Sequence, residues 1–157
     1  MKLLTYKLEE NSNHMIGVLK DSLIYNLNYP LGDISLVELI QRTNYKEEIE
    51  NYIKRKDSII HKIENVILLS PIPNPSSLRD AYAFREHVEN ARKNRGAKII
   101  PEFDQFPVFY FSNHNAIFGD QEVIKLMPDH FEKLDYELEF AIVIGKKGKN
   151  ILSKDAH

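Results

Sequence analysis

The chain has 157 residues, 43% of them hydrophobic and 28% charged, with no cysteine and a formal net charge of −2. This length suits one domain or two small ones, and the composition is that expected of an ordinary soluble globular protein. The missing cysteines exclude disulfides, thiolate metal sites and a cysteine nucleophile, and they fit a reducing cytoplasm. The small net charge argues against nucleic acid as the main partner. Apolar runs such as 66–69 and 140–144 are far too short to span a bilayer, and Met1-Lys2-Leu3-Leu4-Thr5-Tyr6-Lys7 turns polar too early for a secretory signal.

The first part is expected to form a small β unit followed by helices. Residues 3–8, 16–19 and 24–27 have strand character, and Lys20-Asp21-Ser22 suits a hairpin turn between the last two. Ser35, with Glu38 three residues later, predicts a capping box that opens a helix over 36–42. A second helix is expected from about Tyr45 into the 54–60 region, with Ile49, Tyr52 and Ile53 on one stripe. Nothing in this unit points to chemistry, and packing or oligomer contact is its expected role.

A short apolar strand over 66–69 leads into Ser70-Pro71-Ile72-Pro73-Asn74-Pro75, which cannot be helical. The domain boundary is therefore placed near 64–66, giving domains 1–65 and 66–157. Beyond the prolines, Ser77 or Asp80 can start a helix that runs to about Asn94 and stops at Gly96. An aromatic strand is expected over 106–111, a turn over 112–115 and a short strand over 122–126. The strand over 134–144 comes last, entering a core from Phe140 on. Ser153 is expected to cap another helix, of which the chain holds only the first turn. The chain is thus expected to be the front part of a longer domain.

The 134–144 strand carries Glu137 and Glu139 two positions apart, hence on one face with backbones about 7 Å apart. Two carboxylates that close repel unless water or a cation separates them, and such pairs suit a hard divalent ion. A solvated strand face is the alternative. Upstream lies Arg79-Asp80-Ala81-Tyr82-Ala83-Phe84-Arg85-Glu86-His87. Asp80 suits either a helix start or a free carboxylate before one. His87 suits either a core-edge histidine or a general base near neutral pH. Arg92, Lys93, Arg95 and Lys98 form a basic cluster at a helix end, where the dipole favours cations and where an arginine could also anchor a carboxylate. His14, His61, His114 and His130 show no metal-ligand spacing.

Taken in order, Arg79-Asp80 with His87, then Phe106-Pro107-Val108-Phe109-Tyr110-Phe111-Ser112-Asn113, then Leu134-Asp135-Tyr136-Glu137-Leu138-Glu139 leading to Val143-Ile144-Gly145-Lys146, resemble the fumarylacetoacetate hydrolase family from about Leu68 onward. The resemblance implies an α+β fold in which a small N-terminal β/helical domain precedes the first part of a mixed β-sheet roll. It implies a homodimer, a small-molecule keto-acid substrate and a Mg²⁺ site (or Mn²⁺ or Ca²⁺). On the same basis Glu137, Glu139 and Asp80 are the expected metal ligands and His87 the catalytic base. Tyr82, Tyr110 and either Arg92 or Arg95 are the expected substrate contacts. The implied activity is hydrolysis of a C–C bond in a keto acid or 1,3-dicarbonyl, or a related isomerisation or decarboxylation. The family supplies a further aspartate ligand well after the paired glutamates, which this chain does not reach. The competing expectation is therefore a truncated, non-catalytic chain that acts as an interaction partner or as half of a split enzyme.

Overall fold

The computed structural model describes residues 1–125, 134 and 136–156. They divide into two compact units, one made of residues 1–73 and 118–157 and one of residues 74–117. All strand pairings among the described residues are antiparallel, and helices are few and short, so the α+β class holds at that level.

The first unit begins with three strands in succession, β1 (Lys2–Lys7), β2 (Met15–Lys20) and β3 (Leu23–Asn26). Asp21 and Ser22 both take positive φ, 50° and 63°, between the paired Lys20 and Leu23. That is the two-residue turn whose twist matches a hairpin, and short polar side chains tolerate it. The chain then makes the short helices α1 (Asn28–Leu31), α2 (Leu36–Ile40) and α3 (Tyr45–Tyr52). It returns through β4 (Ile60–Lys62) and β5 (Ile67–Leu68), completing a five-stranded sheet in the order β4-β3-β2-β1-β5.

Alternation along the strands covers both faces of this sheet. Ile16 and Val18 project to one face and join Leu27, Leu36, Leu39, Ile49 and Tyr52 in a single buried cluster. The opposite face buries Tyr6 and Ile24, both fully inaccessible, and Asn26. Gly17 lies beneath them: a Cβ there would fall 2.5 Å from Ile24 Cγ2 and 3.2 Å from Tyr6 Cε1, so this close approach requires glycine. The buried polar atoms are matched, with Asn26 Nδ2 donating to the Tyr6 hydroxyl at 2.8 Å and its Oδ1 accepting from the Tyr29 N–H at 2.9 Å. Burial pushes the Tyr6 phenol up to about 12 from its ordinary 10.0, while the Asn26 hydrogen bond acts in the opposite direction.

Ser35 caps α2 as expected, its hydroxyl accepting from the Glu38 N–H at 3.2 Å while the Glu38 carboxylate accepts from the Ser35 N–H at 2.7 Å. The second helix is shorter than expected. The Ser58 hydroxyl donates to the Tyr52 carbonyl, and the Ile59 N–H donates to the Tyr52 hydroxyl. The chain leaves the helix at Tyr52, and Ile60 enters β4 against Tyr25. β-Branched residues with a free strand edge beside them take the ladder in preference to another helical turn.

Later in this unit, no strand forms over 122–125 or 136–145 among the described residues, and residues 126 and 135, which the expected strands also include, lie outside them. The expected core strand is instead an exposed stretch without assigned secondary structure: Phe140 is 93% and Ile142 86% accessible. A strand needs a regular ladder as well as the right side chains, and side-chain pattern alone does not supply one. The expected helix start appears as a single 3₁₀ turn, Ser153–Asp155. No helix of the described residues is long and apolar enough to cross a membrane.

The second unit pairs β6 (Leu78–Ala81) with β7 (Phe109–Ser112) in antiparallel register; between them in sequence come α4 (Arg85–Asn94) and a 3₁₀ turn over Pro101–Asp104. The helix expected to begin at Ser77 or Asp80 begins only at Arg85. The strand ladder continues past β6, with the Tyr82 N–H donating to the Val108 carbonyl at 3.1 Å, and Phe84 is still extended. Pairing with the aromatic strand therefore outweighs the local helical tendency of 77–84. Gly96 ends α4 at φ 70°, where a side chain would be strained.

Candidate functional site

The antiparallel register sorts the side chains of β6 and β7 onto two faces. Asp80 stands opposite Tyr110, and Leu78 opposite Ser112, on one face. Arg79 stands opposite Phe111, and Ala81 opposite Phe109, on the other. The Arg79 guanidinium lies over the Phe111 ring, 3.9 Å from its centroid, and 5.7 Å from that of Phe109. This stacking holds Arg79 on the aromatic face and leaves Asp80 and Tyr110, both exposed, to present a carboxylate beside a phenol.

Two residues beyond Asp80, Tyr82 turns its ring toward α4. Its centroid lies 6.0 Å from that of His87, at an interplanar angle of 83°, and 6.4 Å from that of Phe103, at 87°. His87 sits in the first turn of α4, exposed, with the chain before it extended. Asp80 and His87 do not share a helix face, as a continuous helix would have required. Asp80 is carried by the strand, His87 by the helix, and Tyr82 lies between them in sequence and touches His87. The other end of α4 carries Arg92 and Lys93, as its dipole favours. Arg92 donates from Nε to the Lys98 carbonyl and so closes the loop after the helix, whereas Arg95 occupies the C-cap position.

The remaining expected ligands, Glu137 and Glu139, belong to the other unit and are exposed on the stretch described above. Carboxylates are the right donors for a hard divalent ion, so Asp80, Glu137 and Glu139 fit one by chemistry. Among the described residues, however, no three His, Asp or Glu side chains gather closely enough to hold a metal. A groove of about 570 Å³ in the first unit has Lys2, Lys20, Asp21, Ile49, Glu50 and Ile53 among its walls. No expected site residue lines it. His130, already set aside on spacing, lies outside the described residues.

Residues not anticipated from the sequence complete the surroundings of His87. Phe103 contacts Tyr82, and Arg85 stacks over Phe103 at 5.1 Å while pairing with Asp104. The only hint in the sequence is Pro101, which favours the start of a helical turn. Nothing local shows that this turn meets Tyr82.

Comparison with known proteins follows the same segment. The family model described as fumarylacetoacetate hydrolase C-terminal matches residues 76–157. A fumarylacetoacetate hydrolase domain-containing protein 2 homolog of Dictyostelium discoideum is 26% identical over 99% of this chain and 50% of its own length. The mitochondrial oxaloacetate tautomerase of Xenopus laevis is 32% identical over 59% of this chain and 26% of its own. Oxaloacetate tautomerase YisK of Bacillus subtilis is 29% identical over 64% of this chain and 32% of its own. The chain thus spans half or less of the length of these relatives. Because the matched segment, which contains Asp80, Tyr82, His87, Tyr110, Glu137 and Glu139, makes up more than half of the chain, the protein belongs to the fumarylacetoacetate hydrolase family.

Proposed function

We propose that this chain carries the acid–base part of an enzyme that moves a proton beside the carbonyl of a short keto acid, by isomerisation between keto and enol forms. The observation that carries this reading is the grouping in the second unit. Asp80 and Tyr110 face one another across the strand pair, and Tyr82 leads directly to His87. Two relatives named as oxaloacetate tautomerases support the choice of a keto diacid such as oxaloacetate as substrate.

In this reading neutral His87 takes the proton from the carbon next to the ketone, and the electron pair of the broken C–H bond forms the enolate. The proton returns to the enolate oxygen, so atoms and charge balance without a co-reactant. Tyr110 and Tyr82 offer hydroxyls to substrate oxygens, and Arg95 or Arg92 pairs with a substrate carboxylate. Asp80, Glu137 and Glu139 would hold a Mg²⁺ or similar ion, which when bound supplies Lewis-acid polarisation of the carbonyl. Cleavage of a C–C bond by water is the second hydrolase-type reading, favoured by the family description of residues 76–157. A non-catalytic role as one partner of a larger assembly is the third, favoured by the exposed apolar side chains of 138–144.

Thermal-shift titration with Mg²⁺ and Mn²⁺, together with ultraviolet assay of oxaloacetate enol–keto conversion, tests the first reading. Stabilisation by either ion should vanish in Glu137→Ala and Glu139→Ala, and His87→Gln should slow turnover about 100-fold or more. An absence of any ion effect on the wild-type chain sinks the metal assignment, and unchanged turnover in His87→Gln sinks the base assignment.

A further inference from the structure

We infer that Phe103 is a positioning residue for His87, acting through the ring of Tyr82. The inference rests on the reading of His87 as the base, and it changes the part given to Tyr82.

Three rings make a short stack of edges and faces. Tyr82 meets His87 at 6.0 Å and 83° on one side and Phe103 at 6.4 Å and 87° on the other, both edge-to-face arrangements that aromatic quadrupoles favour. The neighbouring aromatics behave differently. Phe84, Phe106, Phe109, Tyr110 and Phe111 are all between 46% and 71% accessible, whereas Tyr82 and Phe103 are half-buried. Those two are therefore the aromatics of this unit that are withdrawn from solvent to pack.

Phe103 is itself anchored. Pro101 opens the 3₁₀ turn that carries it, Arg85 covers its ring at 5.1 Å, and Arg85 pairs with Asp104, the next residue, and with Glu89 at 3.7 Å. Tyr82 is fixed at its backbone by the hydrogen bond to Val108. A base must lie in line with the proton it takes, so a ring packed edge-to-face on its imidazole bears on that alignment. The wedge of Phe103 behind Tyr82 contributes to it from a separate segment of the chain.

The test uses the full chain with ring-labelled histidine, the His87 signals being assigned by their loss in His87→Gln. Phe103→Leu and Tyr82→Leu should move the His87 ring resonances away from their wild-type positions, and Asp104→Asn should shift them part of the way. Tyr82→Phe, which keeps the ring and loses the hydroxyl, should restore the wild-type signature. Wild-type amide exchange over 78–81 and 109–112 reports that the second unit of each variant is folded. Unchanged His87 resonances in folded Phe103→Leu and in Asp104→Asn overturn the proposal. So does a Tyr82→Phe spectrum that matches Tyr82→Leu, since the hydroxyl would then be the active group. The resonances decide positioning whether or not His87→Gln affects turnover, so failure of the base assignment and failure of this inference are read separately. Where turnover is measured, Phe103→Leu should lower kcat by up to about 100-fold with KM little changed.

Discussion

The two units hold themselves together in different ways. In the unit of residues 2–68, side chains are buried on both faces of the sheet: Tyr6, Ile24, Leu27, Leu39 and Ile49 are fully inaccessible. In the unit of residues 74–117, Val88 is the one core hydrophobic among the described residues, and order comes from pairwise contacts such as Arg79 on Phe111 and Arg85 with Asp104. Burial of whole side chains contributes several times more per residue than a surface stack or ion pair. The comparison teaches that the expected chemistry of Asp80, Tyr82, His87 and Tyr110 sits in the less deeply packed unit, where side chains remain accessible to a ligand.

The sharpest way to break this comparison is to remove core volume. Leu39→Ala should cost about 2–5 kcal/mol in urea unfolding, through lost burial and the cavity left among Ile16, Val18 and Ile49. A loss below about 1 kcal/mol would show that the sheet is not where the stability resides.

The next effect is a pH dependence confined to the sheet. The Tyr6 phenol is raised in the folded state, to about 12 from 10.0, so the folded protein keeps a proton that the unfolded chain gives up. Stability from this group is complete below pH 10.0 and declines as pH rises toward 12, by roughly 2–3 kcal/mol in all. Tyr6→Phe should flatten that alkaline decline while lowering stability near neutrality by about 1 kcal/mol, because Asn26 loses its acceptor. An equally steep decline in Tyr6→Phe would assign it to other groups.

The smallest effect belongs to the second unit. Arg79→Ala should loosen the β6–β7 pair by about 0.5–1 kcal/mol, read as a few-fold faster amide exchange over 78–81 and 109–112. Global unfolding should hardly change. A loss as large as that of Leu39→Ala would erase the difference between the units.

Much of the first unit was legible because its signals are local. The alternation in β1 to β3, the turn at Asp21 and Ser22 and the reciprocal bonds of Ser35 with Glu38 depend on residues within a few positions of one another. The order of motifs from Leu68 onward was equally legible as a family pattern, and it carried Asp80, His87, Glu137 and Glu139 into view. The start of α4 was not legible. Residues 77–84 are compatible with a helix until Phe109–Ser112 offers them a ladder, and that partner lies far along the chain. The strand over 139–144 failed for the converse reason: its side chains suit a core strand, but the described residues form no strand there.

The sequence by itself therefore determined which residues are candidates for chemistry, the family they point to, and the elements whose hydrogen bonds close within a turn or a hairpin. Tertiary structure alone decided that Asp80 stands on a strand opposite Tyr110, that Tyr82 packs on both His87 and Phe103, and that Arg85 stacks over Phe103. The physical reason is range. Capping and turn preferences act between neighbours in sequence, whereas strand pairing and ring packing are set by whichever distant segment arrives to satisfy them.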